Sequence, residues 1–222
     1  VHIALMEANL SYGTTITSFA DDTRLKRGIT EEQDCAALQL DLEAVYSWAD
    51  KVNMHFNEAK FEVLRFWADR SAGPDILYLS PDGGPIEEKD CTRDLGVQVG
   101  TDLMFTAQVD RAVAAGSRMA GWIMRTFRHR GRSVMLTLLR SLVQPRLDYC
   151  SQLWSPSDQG SINRLEAVQH NFVTRIWDLV LEQLDYWERL KLLWLYSQEQ
   201  RWERYMVCFL WKLSRGLISG YN

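Results

Sequence analysis

An α+β half followed by an all-α half is the fold this sequence predicts, and three observations predict it. The first hundred residues hold short β-branched and aromatic runs separated by turn residues, with one long amphipathic stretch among them. From about residue 101 the apolar positions recur at helical spacing almost to the end. The nine tryptophans fall mostly after residue 120, where large helical cores would use them. A boundary near residue 100 follows, giving regions 1–100 and 101–222. At 222 residues, 46% hydrophobic and 24% charged, the chain has enough apolar material for one or two cores.

Taken in order, residues 1–13 are weak in pattern. Thr14-Thr15-Ile16-Thr17-Ser18-Phe19 suits a pleated strand. Residues 24–29 can return beside it, closed by Gly28, which leaves Asp21 and Asp22 at a hairpin tip. Adjacent strand side chains point to opposite faces, so both carboxylates can serve one metal ion only where the backbone turns. Mg²⁺ takes hard oxygen ligands of this kind, a few carboxylates with water and phosphate. Asp pairs are also common in plain turns, because Asp bonds its own backbone there. Thr30 with Gln33 reads as a capping box opening a helix whose apolar face is Leu38, Leu42, Val45, Ala49 and Val52. Residues 61–66, 76–79 and 94–99 read as further strands, with a turn over 81–85 and Gly96 inside the last strand.

In the second region, Phe105, Val109, Ala112, Val113, Gly116, Ala120, Ile123 and Phe127 line one helical stripe, with Trp122 and Phe127 facing the bundle. A second helix spans 132–144 and is stopped by Pro145. A third covers 158–177 and a fourth 181–195. Ser197 with Gln200 caps a fifth, whose inward face is Trp202, Tyr205, Met206, Phe209 and Leu213 and which Gly216 ends. Helical spacing favours core packing for Trp187, Trp194, Trp202 and Trp211 over stacking on bases.

Charge narrows the function classes. A net charge of −4 excludes a protein that is basic all over, but residues 111–146 carry eight arginines and leave room for a local basic groove. Arg125, Arg128, Arg130 and Arg132 form the densest cluster, between two helices. They read equally as phosphate contacts and as a solvated helix junction. Cys35, Cys91, Cys150 and Cys208 lie far apart, without zinc spacing, and suit free thiols in a reducing compartment. His129 and His170 have no partners at useful spacing. No run is apolar for long enough to span a bilayer. An intracellular protein, cytoplasmic or nuclear, is expected. The chain opens on Val in mid-pattern, which reads as a piece of a longer product.

The ordered boxes carry a resemblance. They begin with Ser18-Phe19-Ala20-Asp21-Asp22-Thr23-Arg24-Leu25, then Leu38-Gln39-Leu40-Asp41-Leu42 and Trp48-Ala49-Asp50-Lys51-Val52-Asn53-Met54. Phe56-Asn57-Glu58-Ala59-Lys60, Val63-Leu64-Arg65-Phe66, Arg93-Asp94-Leu95-Gly96-Val97, Ser141-Leu142-Val143-Gln144-Pro145, Asp148-Tyr149-Cys150 and the tail motifs Tyr186-Trp187-Glu188-Arg189-Leu190 and Arg204-Tyr205-Met206 follow. From about residue 15 to 217 the series resembles the C-terminal part of a non-LTR (LINE-type, Jockey-like) retrotransposon reverse transcriptase.

That resemblance implies a truncated polymerase palm over 1–100, a small antiparallel sheet with a helix, and a thumb-like helical bundle over 101–222. It implies RNA-directed DNA polymerase chemistry on an RNA template, a DNA primer and dNTP, with Mg²⁺ or Mn²⁺ held by Asp21 and Asp22. Lys60 matches a lysine near the triphosphate that can donate a proton, although by residue type alone it reads rather as a solvated lysine at a strand entrance. Leu95 and Gly96 match the primer grip, and the Arg125–Arg132 cluster falls in the thumb. In the resembling enzymes, an Asp from an earlier strand bridges the two metal ions together with the first Asp of the pair. No Asp precedes Asp21, and Glu7 is the only earlier acid. The expectation is therefore a polymerase piece, inactive by itself without the upstream Asp and the fingers. The alternatives are a non-catalytic nucleic-acid-binding module and an inert retroelement remnant.

Overall fold

The structure, a computed structural model, describes residues 10–20, 22–66 and 76–218. The chain divides into two compact units after Thr92; the sequence placed a boundary near residue 100. The described residues are mixed α and β, in keeping with an α+β class.

In the first unit, β1 (Thr14–Phe19) and β2 (Asp22–Arg27) pair antiparallel from Thr14 opposite Arg27 to Phe19 opposite Asp22. The alternation of β1 buries Ile16, which clusters with Val45 and Trp48 of helix α1 (Glu32–Lys51) and with Leu25 across the hairpin. The helix starts one residue later than the sequence suggested. Its capping box is Glu31 with Asp34, not Thr30 with Gln33. The reason is charge: Asp34 accepts from the Thr30 N–H and hydroxyl and the Glu31 N–H, and bonds to a carboxylate outweigh those to a neutral amide.

A second cluster gathers Cys35, Tyr78 and Ile86 with Leu38, Leu42, Phe61 and Val63. The expected single antiparallel sheet is not formed. Among the described residues the strands make three separate two-stranded pieces, and β3 (Glu62–Val63) pairs with β4 (Glu87–Glu88) in parallel. Residues 76–79 contribute only a bridge from Leu79 to Pro85. Glu62, Glu87 and Lys89 keep this region charged and ion-paired, and Pro85 has no N–H to extend a ladder.

The chain passes between the units within β5 (Cys91–Asp94), which forms a hairpin with β6 (Val97–Gly100). Gly96 is therefore in a turn rather than inside a strand. Leu95 and Gly96 both have positive φ, 43° and 90°, the pair of values that lets a two-residue loop follow the strand twist.

Helix α2 (Thr106–Thr126) buries Val109, Ala112, Gly116, Ala120 and Ile123 as the stripe predicts, and Phe127 packs on this core. Trp122 does not face the bundle; it is half exposed, because it lies about 100° around the helix from Ile123. A Cβ on Gly116 would come within 2.8 Å of the Leu147 side chain, so helices approach closely there. Pro145 does not stop the next helix. Helix α3 (Arg132–Leu138) runs into a π-helical turn (Leu139–Val143) and on through α4 (Gln144–Asp148). A proline inside an α-helix clashes with the carbonyl four residues back, and a π turn next to it relieves the ladder.

After α5 (Ser151–Trp154), helix α6 (Gln159–Val173) is capped by the Asp158 carboxylate on the Ser161 N–H. It ends before the expected residue 177. The expected 181–195 helix is divided into a 3₁₀ turn (Leu181–Gln183) and α7 (Tyr186–Leu193), because Asp185 with Glu188 forms a capping box that starts a new helix. Helix α8 (Gln198–Ser214) begins at Ser197 with Gln200 at the third position, as the sequence predicts. Of its expected inward face, Trp202 is buried and Tyr205 exposed, since the buried Gln198 and Arg201 take part of the face. Arg201 pairs with Asp148 at 2.9 Å. Trp187, Trp194 and Trp211 are likewise exposed, at 58, 88 and 53%, against the expectation of core packing.

Candidate nucleic-acid interface

Of the acidic pair at the hairpin, Asp22 is exposed and opens β2; Asp21 lies outside the described residues. Lys60 ends a separate exposed 3₁₀ turn (Glu58–Lys60), and among the described residues no hydrogen bond or ion pair joins it to Asp22. Also among the described residues, no three His, Cys, Asp or Glu side chains gather in a way that could hold a metal ion.

The hairpin instead rests on a polar anchor that the sequence did not suggest. Asp41 is buried and accepts from the Ser11 backbone N–H at 2.8 Å and hydroxyl at 2.6 Å. Arg27 of β2 reaches Asp34 at 3.2 Å and Asp41 at 3.9 Å, and donates to the Tyr12 carbonyl and the Thr14 hydroxyl. Burial alone would raise the Asp41 carboxyl, but the Ser11 and Thr14 bonds and the Arg27 charge hold it below its ordinary value. The Thr30 backbone and hydroxyl bonds, with that of Glu31, depress Asp34 strongly. Asp41 sits among the apolar positions of the α1 stripe, where an acid needs a cation; Arg27 is the only arginine between the hairpin tip and α1 besides Arg24.

The Leu95-Gly96 turn is held by residues of its own unit. The Tyr149 hydroxyl donates to the Leu95 carbonyl at 2.8 Å, and the Arg111 guanidinium donates to the Gly96 carbonyl at 3.0 Å. A Cβ on Gly96 would sit 3.2 Å from the Tyr149 ring. The Gln108 amide oxygen adds a bond from the Gln98 N–H at 2.9 Å. Both carbonyls of the turn are thus committed to the protein.

The four clustered arginines divide into two kinds. Arg125 and Arg128 are exposed, and among the described residues no carboxylate pairs with either. Arg132 donates to the Leu192 carbonyl and lies 3.8 Å from Asp178. Arg130 donates to the Met124 carbonyl at 3.1 Å, and its guanidinium carbon lies 5.5 Å from the centre of the Trp177 ring. Backbone pairing fixes that stack, with the Trp177 N–H donating to the Arg130 carbonyl at 2.9 Å and Gly131 bridged to Trp177. Arg175 is exposed and lines a cleft between α2 and α6 with Gly121, Met124, Asn171 and Phe172. Sequence reasoning missed Arg175 and Trp177.

Comparison with known proteins agrees with a polymerase relative. A Drosophila melanogaster protein described as "Probable RNA-directed DNA polymerase from transposon X-element" is 26% identical over 170 residues, covering 74% of this chain. The chain spans 18% of that protein's length. No family model and no solved structure matches. The chain is therefore distantly similar to a transposon reverse transcriptase. Among the described residues, no helix is long and apolar enough to cross a membrane.

Proposed function

We propose that this chain is a portion of a non-LTR retrotransposon reverse transcriptase, with palm residues in 1–100 and a thumb in 101–222. The similarity over 170 residues to the transposon polymerase carries this reading. Asp21 and Asp22 are the proposed ligands of Mg²⁺ or Mn²⁺, and Lys60 the proposed proton donor near a bound dNTP. Leu95 and Gly96 support the primer end. Arg125 and Arg128 contact the phosphates of an RNA template paired with a DNA primer, while Arg130 and Arg132 build the surface that presents them. The exposed Asp22 at the hairpin and the arginines without carboxylate partners support these roles.

With no Asp before Asp21, the chain as it stands does not extend a primer. A non-catalytic nucleic-acid-binding role is the second reading, favoured by the same unpaired arginines. The test uses an RNA–DNA heteroduplex with a recessed 3′ end, titrated with the purified chain at several salt concentrations and then supplied with dNTP and Mg²⁺ or Mn²⁺. Salt-sensitive binding without incorporation is expected. Incorporation abolished by Asp21→Asn would overturn the inactivity, and absence of any binding would overturn the nucleic-acid reading altogether.

A further inference from the structure

We propose that Trp177 is a stacking platform for an unpaired nucleic-acid base, a site distinct from duplex-backbone contacts. The inference rests on the nucleic-acid reading above only for the class of ligand. Trp177 is 58% exposed, and the Arg130 guanidinium lies over its ring, 5.5 Å from the centroid. Its backbone is pinned by the bond to the Arg130 carbonyl, so the ring is presented from a fixed segment rather than from a free loop.

Two features select the ligand. Among the described residues no carboxylate neutralises Arg130, and its Nε has no hydrogen-bond partner. A positive charge without a counterion therefore lies against the ring. Arg128 precedes it by two residues, Arg175 precedes Trp177 by two, and residues 111–146 contain no acid. The neighbouring Asp178 is engaged by Arg132. An exposed ring with an arginine without a counterion against it complements a base with its phosphate; stacking satisfies the ring, and Arg130, with Arg128 and Arg175 close by in sequence, would meet the flanking phosphates. A duplex keeps its bases stacked on one another and cannot use the ring in this way, so the site prefers single strands.

The experiment measures anisotropy of a fluorescein-labelled single-stranded oligo(dT) and of a blunt duplex of equal length, at several salt concentrations, with the whole chain. For Trp177→Ala, single-strand affinity is expected to fall about tenfold, within the range for loss of one stacked base. The salt slope should stay unchanged, because stacking releases no counterion, and duplex affinity should be retained. Trp177→Phe should keep most of the single-strand affinity, and thermal unfolding of both variants should match the wild type. Wild-type single-strand affinity in Trp177→Ala, or equal losses for single strand and duplex, overturns the proposal. A wild-type chain that binds duplex but not oligo(dT) overturns it while leaving the polymerase reading standing. A chain that binds neither overturns both.

Discussion

Among the described residues, the first unit buries a cluster of two residues around Ile16 and one of three around Cys35, while a single continuous core in the second unit runs from Val97 to Trp202. The first unit compensates with polar anchoring, Arg27 against Asp34 and Asp41. The second relies on apolar volume, and its polar contacts, such as Arg201 with Asp148, lie within the helical packing. A two-stranded hairpin is marginal by itself and depends on the helix it packs against. Directional bonds then do what area does elsewhere. The two units should accordingly fail under different insults.

The largest effect is expected in the helical core. Phe172 is fully buried, so Phe172→Ala leaves a cavity and should cost about 3–5 kcal/mol, read as a lower midpoint of urea unfolding. The same truncation at half-buried Phe209 should cost far less. Next comes the anchor. Arg27→Met keeps the stem but removes the charge, leaving Asp41 buried without its cation, and should cost the first unit about 1–3 kcal/mol. Hydrogen exchange localises the two losses; protection lost equally in both units by either variant would show that the division does not hold energetically.

Acid should sharpen the contrast. Asp34 and Asp41 titrate below their ordinary value of 3.8 in the folded state. Their stabilisation is complete above that value and is lost as pH falls through the lower folded values. Asp148 has the opposite sign. Burial raises it, with Arg201 opposing, so any contribution from its shift is present at low pH and lost as pH rises through the folded value. Exchange measured from pH 6 downward should therefore open the hairpin and α1 before the helices around Asp148. Simultaneous opening would contradict this.

The parts legible in the sequence were those set by local rules. The β-branched run at Thr14–Phe19, the Ser197–Gln200 cap and the α2 stripe each follow from neighbouring residues alone. What was not legible depended on partners distant in sequence. Nothing near Pro145 announces the π turn that lets the helix continue, and nothing near Asp41 names Ser11 as its donor. The exposed tryptophans were misplaced for a similar reason. Helical spacing says which residues share a face but not whether another element covers it, and Trp194, at the positive-φ C-cap of α7, is left outside. At the candidate site, residue type singled out Asp21, Asp22 and the arginine cluster as candidates; it could not show that Arg130 and Arg132 are engaged within the fold.

That division of the cluster gives the smallest effect on stability and the clearest effect on binding. Arg125 and Arg128 touch no carboxylate among the described residues, so replacing both with Gln should leave unfolding within about 0.5 kcal/mol of wild type. If both meet phosphates, the slope of log affinity against log salt for duplex should decrease by about two units, one for each contact removed. Arg132→Gln removes a bond to the Leu192 carbonyl and the approach to Asp178, and should cost stability while changing the slope little. Arg130→Gln should do the same through the Met124 carbonyl, and should also release the Trp177 ring. The measurement pairs a salt series with thermal unfolding for each variant. An unchanged slope in Arg125→Gln/Arg128→Gln would make the cluster a solvated helix junction, because charges that bind phosphate cannot be removed without returning counterions to the duplex.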